Sequence, residues 1–427
     1  MAAALFIIFL AAVVLGIPIC FSLLISASVS LIAFSDTPMV FIIQKIFTSL
    51  DSFSMMAIPF FMIAGGLFDK GGVSKRLVDF ANSLVGWLPG GLAIVTFVAS
   101  AFFGAISGSA SATVAAIGSI MLPFLLKEGY SLKFSLATIA SAGFLGIIIP
   151  PSIPMVIYSI AASTNVGDVF TGGFIPGIML VVAMSVYALI YGRKHIKVTR
   201  KFDIREVWRT FKGAIWALIM PVIILGGIYG GIFTPTESAV VAVVYTLIIG
   251  FVVYKELTWK KVWDAFMETG ALNGTTTFMV GLSMSFAAYL TLAGIPSAVG
   301  QAILSLDAGP VVILLLINVV LLVVGCFVDN ISSTIILTPI LLPIAQGVGM
   351  TAVQFGIVMT VNLAIGFITP PYGVNLFYGS AIGKVSIEEL SKKILPFIGA
   401  MIICLLLLTF IEPLSMWLPT LMAAKAG

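Results

Sequence analysis

The chain has 427 residues, of which 60% are hydrophobic and 9% are charged. So few charges could not cover the surface of a water-soluble protein of this length. Apolar stretches of about 20 residues recur along the whole sequence, and such stretches are long enough to cross a bilayer. The composition therefore excludes a water-soluble protein and predicts an all-α polytopic membrane protein that lies in a lipid bilayer.

The net charge of +4 reflects membrane topology and does not indicate binding to nucleic acid. Nineteen of the 21 Lys and Arg residues fall in five loops, and cytoplasmic loops carry such an excess of basic residues. The loops predicted to be cytoplasmic are residues 70–76, 127–133, 193–212, 255–261 and 384–393. The loops predicted to be external are residues 35–52, 163–173, 233–237 and 292–310.

The first elements in chain order come from residues 1–34, which form either one long tilted helix or a helix with a break at Gly16-Ile-Pro18. The side of the membrane on which the N-terminus lies stays open. The elements predicted next are an amphipathic surface segment at 38–50, a crossing at 53–69 and an interfacial piece at 74–88.

A re-entrant hairpin is predicted for residues 91–124. Both ends of this segment adjoin loops assigned to the cytoplasm, and its centre is rich in Gly and Ser. Such a segment enters and leaves on the same side of the membrane. A broken span at 134–162 and a crossing at 174–192 follow it.

The second half of the chain repeats this order. A second hairpin, which enters from the outside, is predicted because both of its ends adjoin external loops. The elements predicted for this half are crossings at 215–233, 238–254 and 271–291, the hairpin at 309–345, a broken span at 353–382 and a last crossing at 396–418.

The two broken spans carry the same pattern of Gly and Pro, with Pro150-Pro151 in the first and Pro370-Pro371 in the second. We call the difference in numbering between Pro150 and Pro370 the repeat offset. The chain crosses the membrane five times from the start of span 17–34 to the start of its equivalent span 238–254, and because five is odd the two repeats have opposite orientation. We therefore predict two inverted-topology repeats, each with a re-entrant hairpin and a broken transmembrane helix. Secondary transporters bind their substrate at such breaks near the middle of the membrane.

Each Pro-Pro pair leaves backbone carbonyls without a helical partner. Proline has no N–H, so the carbonyl four residues earlier loses its hydrogen bond. The affected carbonyls are those of Gly146, Ile147, Gly366 and Phe367. An unpaired carbonyl is costly in hydrocarbon, and a sodium ion, which seeks oxygen ligands, is a suitable partner. Half-helix N-termini at the same breaks suit an anionic substrate.

The hairpin tips supply polar side chains to the same region. They are Ser107, Ser109, Ser111 and Thr113 in the first tip, and Asp329, Asn330, Ser332, Ser333 and Thr334 in the second. An acid inside the membrane is a functional candidate, although Asp329 has a second interpretation as a cap of its own tip. Glu237 in Thr234-Pro-Thr-Glu-Ser238 is better explained as a helix-start cap.

The sequence gives little support to an enzyme or to a cofactor. The single histidine, His195, lies in the basic loop at 193–212 and is predicted to be a solvated loop residue. The sequence lacks a Gly-x-x-x-x-Gly-Lys-Ser/Thr phosphate-binding loop and lacks the Cys and His spacing of a metal site. We therefore expect no catalytic residues and no bound cofactor, with sodium as a coupling ion.

Six short motifs are distributed over the whole chain. They are Ser49-Leu-Asp-Ser-Phe53, Ile58-Pro-Phe-Phe61, Phe103-Gly-Ala-Ile-Ser-Gly-Ser-Ala110, Ile149-Pro-Pro-Ser152, Gly231-Ile-Phe-Thr-Pro-Thr-Glu-Ser238 and Thr369-Pro-Pro-Tyr-Gly373. Together they resemble the large membrane (M) subunit of tripartite ATP-independent periplasmic (TRAP) transporters.

This resemblance implies sodium-coupled uptake of an organic acid, such as sialic acid or a C4-dicarboxylate, across the bacterial inner membrane. It implies two partners, a small four-helix membrane subunit (Q type) and a periplasmic substrate-binding protein (P type). It also implies an ion-transporter-superfamily-like elevator architecture, in which the hairpins and broken helices slide as a transport domain against a scaffold.

The resemblance also implies binding sites at matching positions. The first sodium site would use Ser107 and Ser109 with the carbonyls of Gly146, Ile149 and Pro151. The second sodium site would use Gly366, Thr369 and Pro371 with Asp329, Asn330 and Ser333. The residues expected to bind substrate are Ser111, Thr113, Ser152, Ser332, Thr334 and Asn375. Because neither tip and neither break contains Lys or Arg, we expect transport of an anion to depend strictly on sodium.

Five segments are expected to form the scaffold and the transport domain. Residues 1–90, 166–292 and 386–427 would form the scaffold, and the hairpin-plus-break segments 91–165 and 293–385 the transport domain. Three alternatives remain open: a stand-alone sodium-coupled carrier of the dicarboxylate or citrate type, an ion channel and a membrane enzyme. A channel would need a polar or charged pore lining, and the spans show no charged stripe.

Overall fold

The computed structural model describes residues 2–196, 201–304, 309–370 and 373–426, and every regular element in this part of the chain is a helix. Nine helices of the described residues are long and apolar enough to cross a membrane. The pair Leu132–Ile148 and Ile153–Ala161, which is bent by 45°, adds a tenth span. This arrangement confirms a multi-pass, all-helical membrane protein.

The N-terminal segment forms two helices that fold against each other, α1 (Ala2–Val14) and α2 (Ile19–Phe34). The chain turns at Gly16, whose φ of +80° lies in the left-handed region that favours glycine. The Ser26 hydroxyl on α2 donates a 2.7 Å hydrogen bond to the Leu5 carbonyl on α1. Of the two arrangements open for this segment, the helix with a break is therefore the one observed.

The next four elements match the predicted order. They are α3 (Val40–Leu50), a 3₁₀ turn (Phe53–Met56) that leads into α4 (Ala57–Lys70), and α5 (Val73–Val85). Ile42 is the buried residue of α3, whereas Phe47 on the same helix is 70% exposed. A short helix that exposes apolar side chains fits the predicted surface segment.

The first hairpin consists of α6 (Gly91–Ser107) and α7 (Ala110–Lys127), which pack side by side. Gly108 makes the turn between them with a φ of +60°. The broken span follows as α8 (Leu132–Gly143), the single turn α9 (Leu145–Ile148) and α10 (Ile153–Ala161). The break therefore lies where the Pro150-Pro151 pair predicts it.

Four long elements connect the two hairpin regions. They are α11 (Val166–His195), α12 (Ile204–Tyr229), α13 (Pro235–Ile248) with a π-helical turn (Ile249–Val253), and α14 (Trp259–Leu292). The expectation that residues 193–212 form one loop is wrong at both ends, because α11 runs to His195 and α12 begins at Ile204. His195 stays exposed, but it lies on the last helical turn with its ring stacked on Tyr191 at 4.2 Å.

The second hairpin and break repeat the first. The elements are α15 (Ile295–Leu304), the hairpin arms α16 (Pro310–Phe327) and α17 (Asn330–Gly347), then α18 (Ala352–Gly366) and α19 (Val374–Gly383). The short helix α15 lies within the predicted external loop 292–310. The first residues of α7 and α17 differ in number by the repeat offset, and so do their last residues. The first residues of α8 and α18 differ by the same offset.

The predicted last crossing at 396–418 is wrong in its bounds. The structure has α20 (Ile387–Phe410) and, after a break at Ile411 and Glu412, α21 (Pro413–Ala426). Proline lacks the N–H that would continue a helix, so a new helix begins at Pro413. Helix α21 packs on α11 and on α18.

Helices of one half pack on helices of the other half in the core, and equivalent helices make equivalent contacts. Helix α10 packs on α17 of the second hairpin, and α19 packs on α7 of the first. In the same way α11 packs on α18, and α20 packs on α8. Reciprocal contacts of this kind are expected if the two halves are similar units related by a two-fold axis. They bring both hairpin tips and both breaks into one buried region.

Candidate functional site

Hydroxyl groups surround the turn of the first hairpin. Ser107 ends α6 and is 2% exposed, and Ser109 caps the N-terminus of α7. The Thr113 hydroxyl donates a 2.8 Å hydrogen bond to the Ser109 carbonyl. The other contacts are long: 3.3 Å between the hydroxyls of Ser107 and Thr113, and 3.2 Å between those of Ser109 and Ser111. The usual O–H···O distance is about 2.7 to 2.8 Å, so these oxygens are held loosely.

The first tip lies directly against the first break. A methyl group added at Gly146 would lie 2.3 Å from Thr113 Oγ1 and 2.5 Å from the Ser109 carbonyl oxygen. One added at Gly108 would lie 3.0 Å from the Pro151 carbonyl oxygen. The structure therefore brings together Ser107, Ser109, Gly146 and Pro151 of the predicted first sodium site. The side chain of Ile149 contacts Gly177 on α11, and the role of the Ile149 carbonyl stays a prediction.

The two carbonyls released by the first Pro-Pro pair have different surroundings. Pro150 cannot donate to the Gly146 carbonyl, and the N–H of Ile149 bonds the Leu145 carbonyl. The Ile147 carbonyl accepts a 2.5 Å hydrogen bond from Ser152 Oγ. Ser152 also caps α10 and is fully buried. This residue, expected to bind substrate, therefore has its hydroxyl bonded within the break.

The second tip is built around Asp329. Its carboxylate caps α17 by accepting a 2.9 Å hydrogen bond from the backbone N–H of Ser332. The capping interpretation is therefore confirmed for Asp329, and a role toward sodium stays a prediction. The predicted cap at Glu237 is confirmed as well, because Thr234 and Glu237 form a reciprocal capping box at the start of α13.

Several buried polar atoms of the second tip have loose hydrogen bonds or none. Ser333 Oγ and Asn330 Nδ2 are buried without a hydrogen-bond partner among the described residues. Thr334 Oγ1 donates to Asn330 Oδ1 at 3.3 Å, and the Ser332 hydroxyl accepts at 3.3 Å from Ser283 on α14. Buried polar groups nearly always have a partner, so the groups without one here are candidate ligands for an ion or a substrate.

The second break satisfies its released carbonyls with main-chain donors. The Gly366 carbonyl accepts from the N–H of Thr369 at 3.0 Å, and the Phe367 carbonyl accepts from the N–H of Asn375 at 2.9 Å. Thr369 Oγ1 donates to the Ile365 carbonyl at 2.7 Å. Pro371, a predicted sodium ligand, lies outside the described residues.

Close backbone contact joins the second hairpin to the second broken span. A methyl group at Gly366 would lie 2.4 Å from the carbonyl carbon of Gly325 on α16. Gly104 and Gly146 make the matching contact in the first half, where a methyl group at Gly104 would lie 2.7 Å from Gly146 Cα. Glycine at these four positions lets each hairpin touch its break without an intervening side chain.

Asn375 is the most isolated polar side chain of the site. It is fully buried on α19, and neither its Oδ1 nor its Nδ2 has a hydrogen-bond partner among the described residues. A methyl group at Gly143 on α8 would lie 3.2 Å from Asn375 Nδ2. The second broken helix thus directs an unpaired amide toward the first broken helix.

A cavity of about 390 Å³ extends from the first tip along the side of α4. The hydroxyls of Ser107, Ser109 and Ser111 line its tip end. Its other end is lined by Lys70 and Glu268, which form a 2.9 Å ion pair between α4 and α14. We call this cavity the first cleft. Ser111 is the only one of the six predicted substrate residues that lines it.

Four charged or polar residues on α4 and α14 line the first cleft and are missing from the sequence-based site. They are Asp69, Lys70, Glu268 and Thr269. Asp69 and Lys70 stand at the end of a predicted crossing, where charged residues ordinarily mark the membrane surface. Glu268 and Thr269 lie just before the predicted start of the crossing at 271–291. Only the packing of α14 on α4 reveals that these residues face the hairpin tip.

The fold is that of a multi-pass helical membrane protein with two helical hairpins and two broken helices. The chain is similar to the crystal structure of the Alcanivorax borkumensis YdaH transporter, with a TM-score of 0.62 and 15% sequence identity over 87% of this chain and 89% of that one. At this level of identity the likeness shows the fold alone.

Sequence comparison gives the particular family. Residues 6–414 match the family described as "Tripartite ATP-independent periplasmic transporter, DctM component". The chain therefore belongs to the large membrane subunits of TRAP transporters, which are permeases and not enzymes. The resemblance found in the sequence motifs is confirmed.

Two relatives illustrate this membership. The chain is 43% identical over 409 residues to the isethionate TRAP transporter permease protein DctMQ of Oleidesulfovibrio alaskensis, covering 95% of this chain and 64% of that protein. It is 38% identical over 445 residues to the C4-dicarboxylate TRAP transporter large permease protein DctM of Vibrio cholerae, covering 98% of both. The chain thus spans less than two thirds of the first relative and nearly all of the second.

Proposed function

We propose that this chain carries a small organic anion across the bacterial inner membrane in symport with sodium. The observation that carries the proposal is the pair of hairpin tips with loosely bonded or unpaired buried polar groups. Each tip packs against a broken helix, and the polar groups of the first tip line the first cleft. Hydroxyl, amide and carbonyl oxygens are the ligands that a hard cation prefers.

The first proposed sodium site lies between Ser107, Ser109 and the carbonyls of the first break. Support comes from the contact of Gly146 and Pro151 with this tip and from the long hydrogen bonds of its hydroxyls. A bound cation would replace several weak contacts by short oxygen ligands, so the tip would close on the break.

The second proposed sodium site lies between the second tip and the second break. Ser333 and Asn330 supply buried groups without partners among the described residues, and Gly325 and Gly366 bring the hairpin into backbone contact with the break. Because the carbonyls of Gly366 and Phe367 accept main-chain hydrogen bonds, the tip side chains would supply more of the ligands here than in the first site.

The charge around the first cleft supports a substrate that binds together with its cations. Neither tip contains Lys or Arg, and Lys70 at the far end of the cleft is paired with Glu268. An organic anion at Ser111 would therefore meet helix N-termini, hydroxyls and sodium ions. Binding of the anion without sodium would leave its charge mostly uncompensated.

The orientation of the cleft supports an inward-facing state. Its charged end lies beside the loops at 70–76 and 255–261, which the positive-inside rule assigns to the cytoplasm. From the start of α2 to the start of α13 the chain would cross the membrane five times, so the two halves would have opposite orientation in the membrane. Movement of the two hairpins and breaks against α4 and α14, as in an elevator, would carry the site to the other side.

The names of the relatives support the substrate class and the partners. They mention isethionate and C4-dicarboxylate, so we assign a small organic anion to this chain. The first relative is longer and its name joins M and Q, as a fusion of large and small subunits would. We infer that this chain works with a separate small membrane subunit and with a periplasmic binding protein that delivers the substrate.

The test is uptake into proteoliposomes that contain this chain, with the small subunit and the binding protein supplied or omitted. We expect uptake under an inward sodium gradient only when all three components are present. Replacing sodium by potassium should abolish uptake. An unchanged rate without sodium would refute the coupling, and uptake by this chain alone would identify a stand-alone carrier.

A further inference from the structure

A second cleft of about 270 Å³ lies between α3, α10, α14 and α17. Its lining matches that of the first cleft at the spacing of the repeats. Four pairs of residues show this match, and in each pair the first residue lines the first cleft and the second residue lines the second cleft. The pairs are Ala115 and Ile335, Ser119 and Pro339, Glu268 and Thr48, and Thr269 and Ser49. The members of each of these four pairs are separated by the repeat offset. The two clefts are therefore equivalent positions of the two halves.

The mouths of the two clefts carry opposite charge. The charged residues that line the first cleft are Asp69, Lys70 and Glu268, so one negative charge is in excess. Among the described residues, the one charged side chain that lines the second cleft is Lys45, which is exposed. Its ammonium group lies 5.7 Å from the centre of the Phe41 ring, and no carboxylate of the described residues forms an ion pair with it.

The second cleft offers an anion little besides this ammonium group. The hydroxyls of Thr48, Ser49 and Thr291 donate to carbonyls of their own helices at 2.8, 2.9 and 3.0 Å. Their hydrogens are therefore not available to a ligand. Recognition of negative charge at this place falls to Lys45.

We propose that the second cleft is an arrival site where an organic anion first meets this chain, with Lys45 as its charge partner. The proposal rests on the proposed transport function. Under that function the second cleft lies on the external side, because α3 lies within the loop at 35–52, which is predicted to be external. A positive mouth raises the rate at which anions enter, and the acidic mouth of the first cleft favours their departure.

Thiol labelling tests the local charge without any need for transport. In a background in which Cys20, Cys326 and Cys404 are replaced by serine, Ala288→Cys places a thiol in the second cleft. We expect anionic sulfonatoethyl methanethiosulfonate to react faster than the cationic trimethylammonioethyl reagent, from the external side. Lys45→Gln should lower this anion-to-cation rate ratio by at least about threefold, and Lys45→Arg should restore it.

Ala115→Cys in the first cleft is the matched control. It should react from the opposite side of the membrane and prefer the cationic reagent, and Lys45→Gln should leave its rates unchanged. The proposal would be overturned if both thiols are labelled from one side of the membrane. It would also be overturned if the anion-to-cation rate ratio at Ala288→Cys is the same with and without Lys45→Gln.

Uptake by the complete three-component system tests whether the substrate uses the site. Lys45→Gln should raise KM about three- to tenfold with unchanged kcat, and substrate should slow labelling of Ala288→Cys. If the wild-type system takes up substrate, an unchanged KM together with labelling that substrate does not slow would overturn the arrival site. Loss of uptake in the wild-type system would count against the transport function instead.

Discussion

Ser107 and Ser109 hold their oxygens at 3.2 to 3.5 Å from each neighbouring hydroxyl or N–H group. If these oxygens bind sodium, Ser107→Ala and Ser109→Ala each remove one ligand. We expect either change to raise the sodium concentration for half-maximal uptake about tenfold, which corresponds to about 1.4 kcal/mol. The measurement is initial uptake into proteoliposomes as a function of sodium concentration.

Ser119→Ala is the control for these two variants. Ser119 lines the same cleft from the same hairpin, but its hydroxyl is bonded to the Ala116 carbonyl at 2.9 Å. The sodium dependence of this variant should match that of the wild type. If all three serine variants shift the sodium dependence equally, the site assigned to the tip is wrong.

Gly146 lies so close to the first tip that no larger residue fits at this position. Its substitution by alanine would place a methyl group 2.3 Å from Thr113 Oγ1 and 2.5 Å from the Ser109 carbonyl, which is closer than atoms can approach. We expect Gly146→Ala to destabilise the protein by about 1 to 3 kcal/mol and to abolish uptake, because the tip must move away from the break. Thermal unfolding in detergent and uptake measure the two effects.

A matched alanine substitution can be made at Gly399 on α20. No heavy atom lies within 4 Å of the added methyl group there, and alanine favours a helix over glycine by about 1 kcal/mol. Gly399→Ala should therefore leave uptake unchanged and keep or raise the unfolding temperature. Equal losses in both variants would mean that helix flexibility, not contact with the tip, explains the effect.

At the scale of elements, Tyr158 ties the first broken helix to the second half. Its ring is fully buried on α10, and its hydroxyl donates a 2.5 Å hydrogen bond to the Ala352 carbonyl at the start of α18. Tyr158→Phe should lower the free energy of unfolding by about 1 kcal/mol. Tyr289→Phe is the comparison, because the buried Tyr289 hydroxyl has no partner among the described residues. A loss of stability in the second variant equal to that in the first would contradict this assignment.

The sequence predicts the hairpins and breaks because their signals are local. Gly108 at a turn and a proline pair in an apolar span each depend on a few neighbouring residues, and the second half repeats the proline pair at the repeat offset but has Val328 where the first half has Gly108. The structure places the first hairpin turn and the first break at these signals. The break at residues 411–412 has only one proline as its signal, and the predicted crossing runs through it.

Hydrogen-bond partners are harder to predict than helix bounds. The Pro-Pro rule identifies the carbonyls of Ile147 and Phe367 as released, but it does not say that Ser152 and the N–H of Asn375 will reach them. Likewise the acidic side chain of Asp329 fits either a cap or an ion ligand until the backbone at Ser332 is placed. The first cleft requires packing of α14 on α4, two helices that are far apart in the sequence.

At the scale of the whole molecule, the two halves have similar elements in different local states. Tyr158 is buried and bonded in the first half, whereas Tyr378, its equivalent in the second half, is 42% exposed and lines the first cleft. Two equivalent clefts of about 390 and 270 Å³ likewise differ in size. If the two halves are inverted repeats, as we propose, exchange of these two states between them would open the second cleft and close the first, as alternating access requires.

Sodium should stabilise the whole molecule if both tips bind it. Because α10 packs on α17 and α19 packs on α7, an ion that joins a tip to the break of its own half also fixes the helices through which the two halves contact each other. An ion present at 100 times its dissociation constant contributes about 2.7 kcal/mol per site. We therefore expect sodium to raise the unfolding temperature in detergent by several degrees over choline at equal ionic strength. Ser107→Ala should reduce this shift and Ser119→Ala should keep it, whereas equal stabilisation by potassium would indicate a general salt effect and no sodium site.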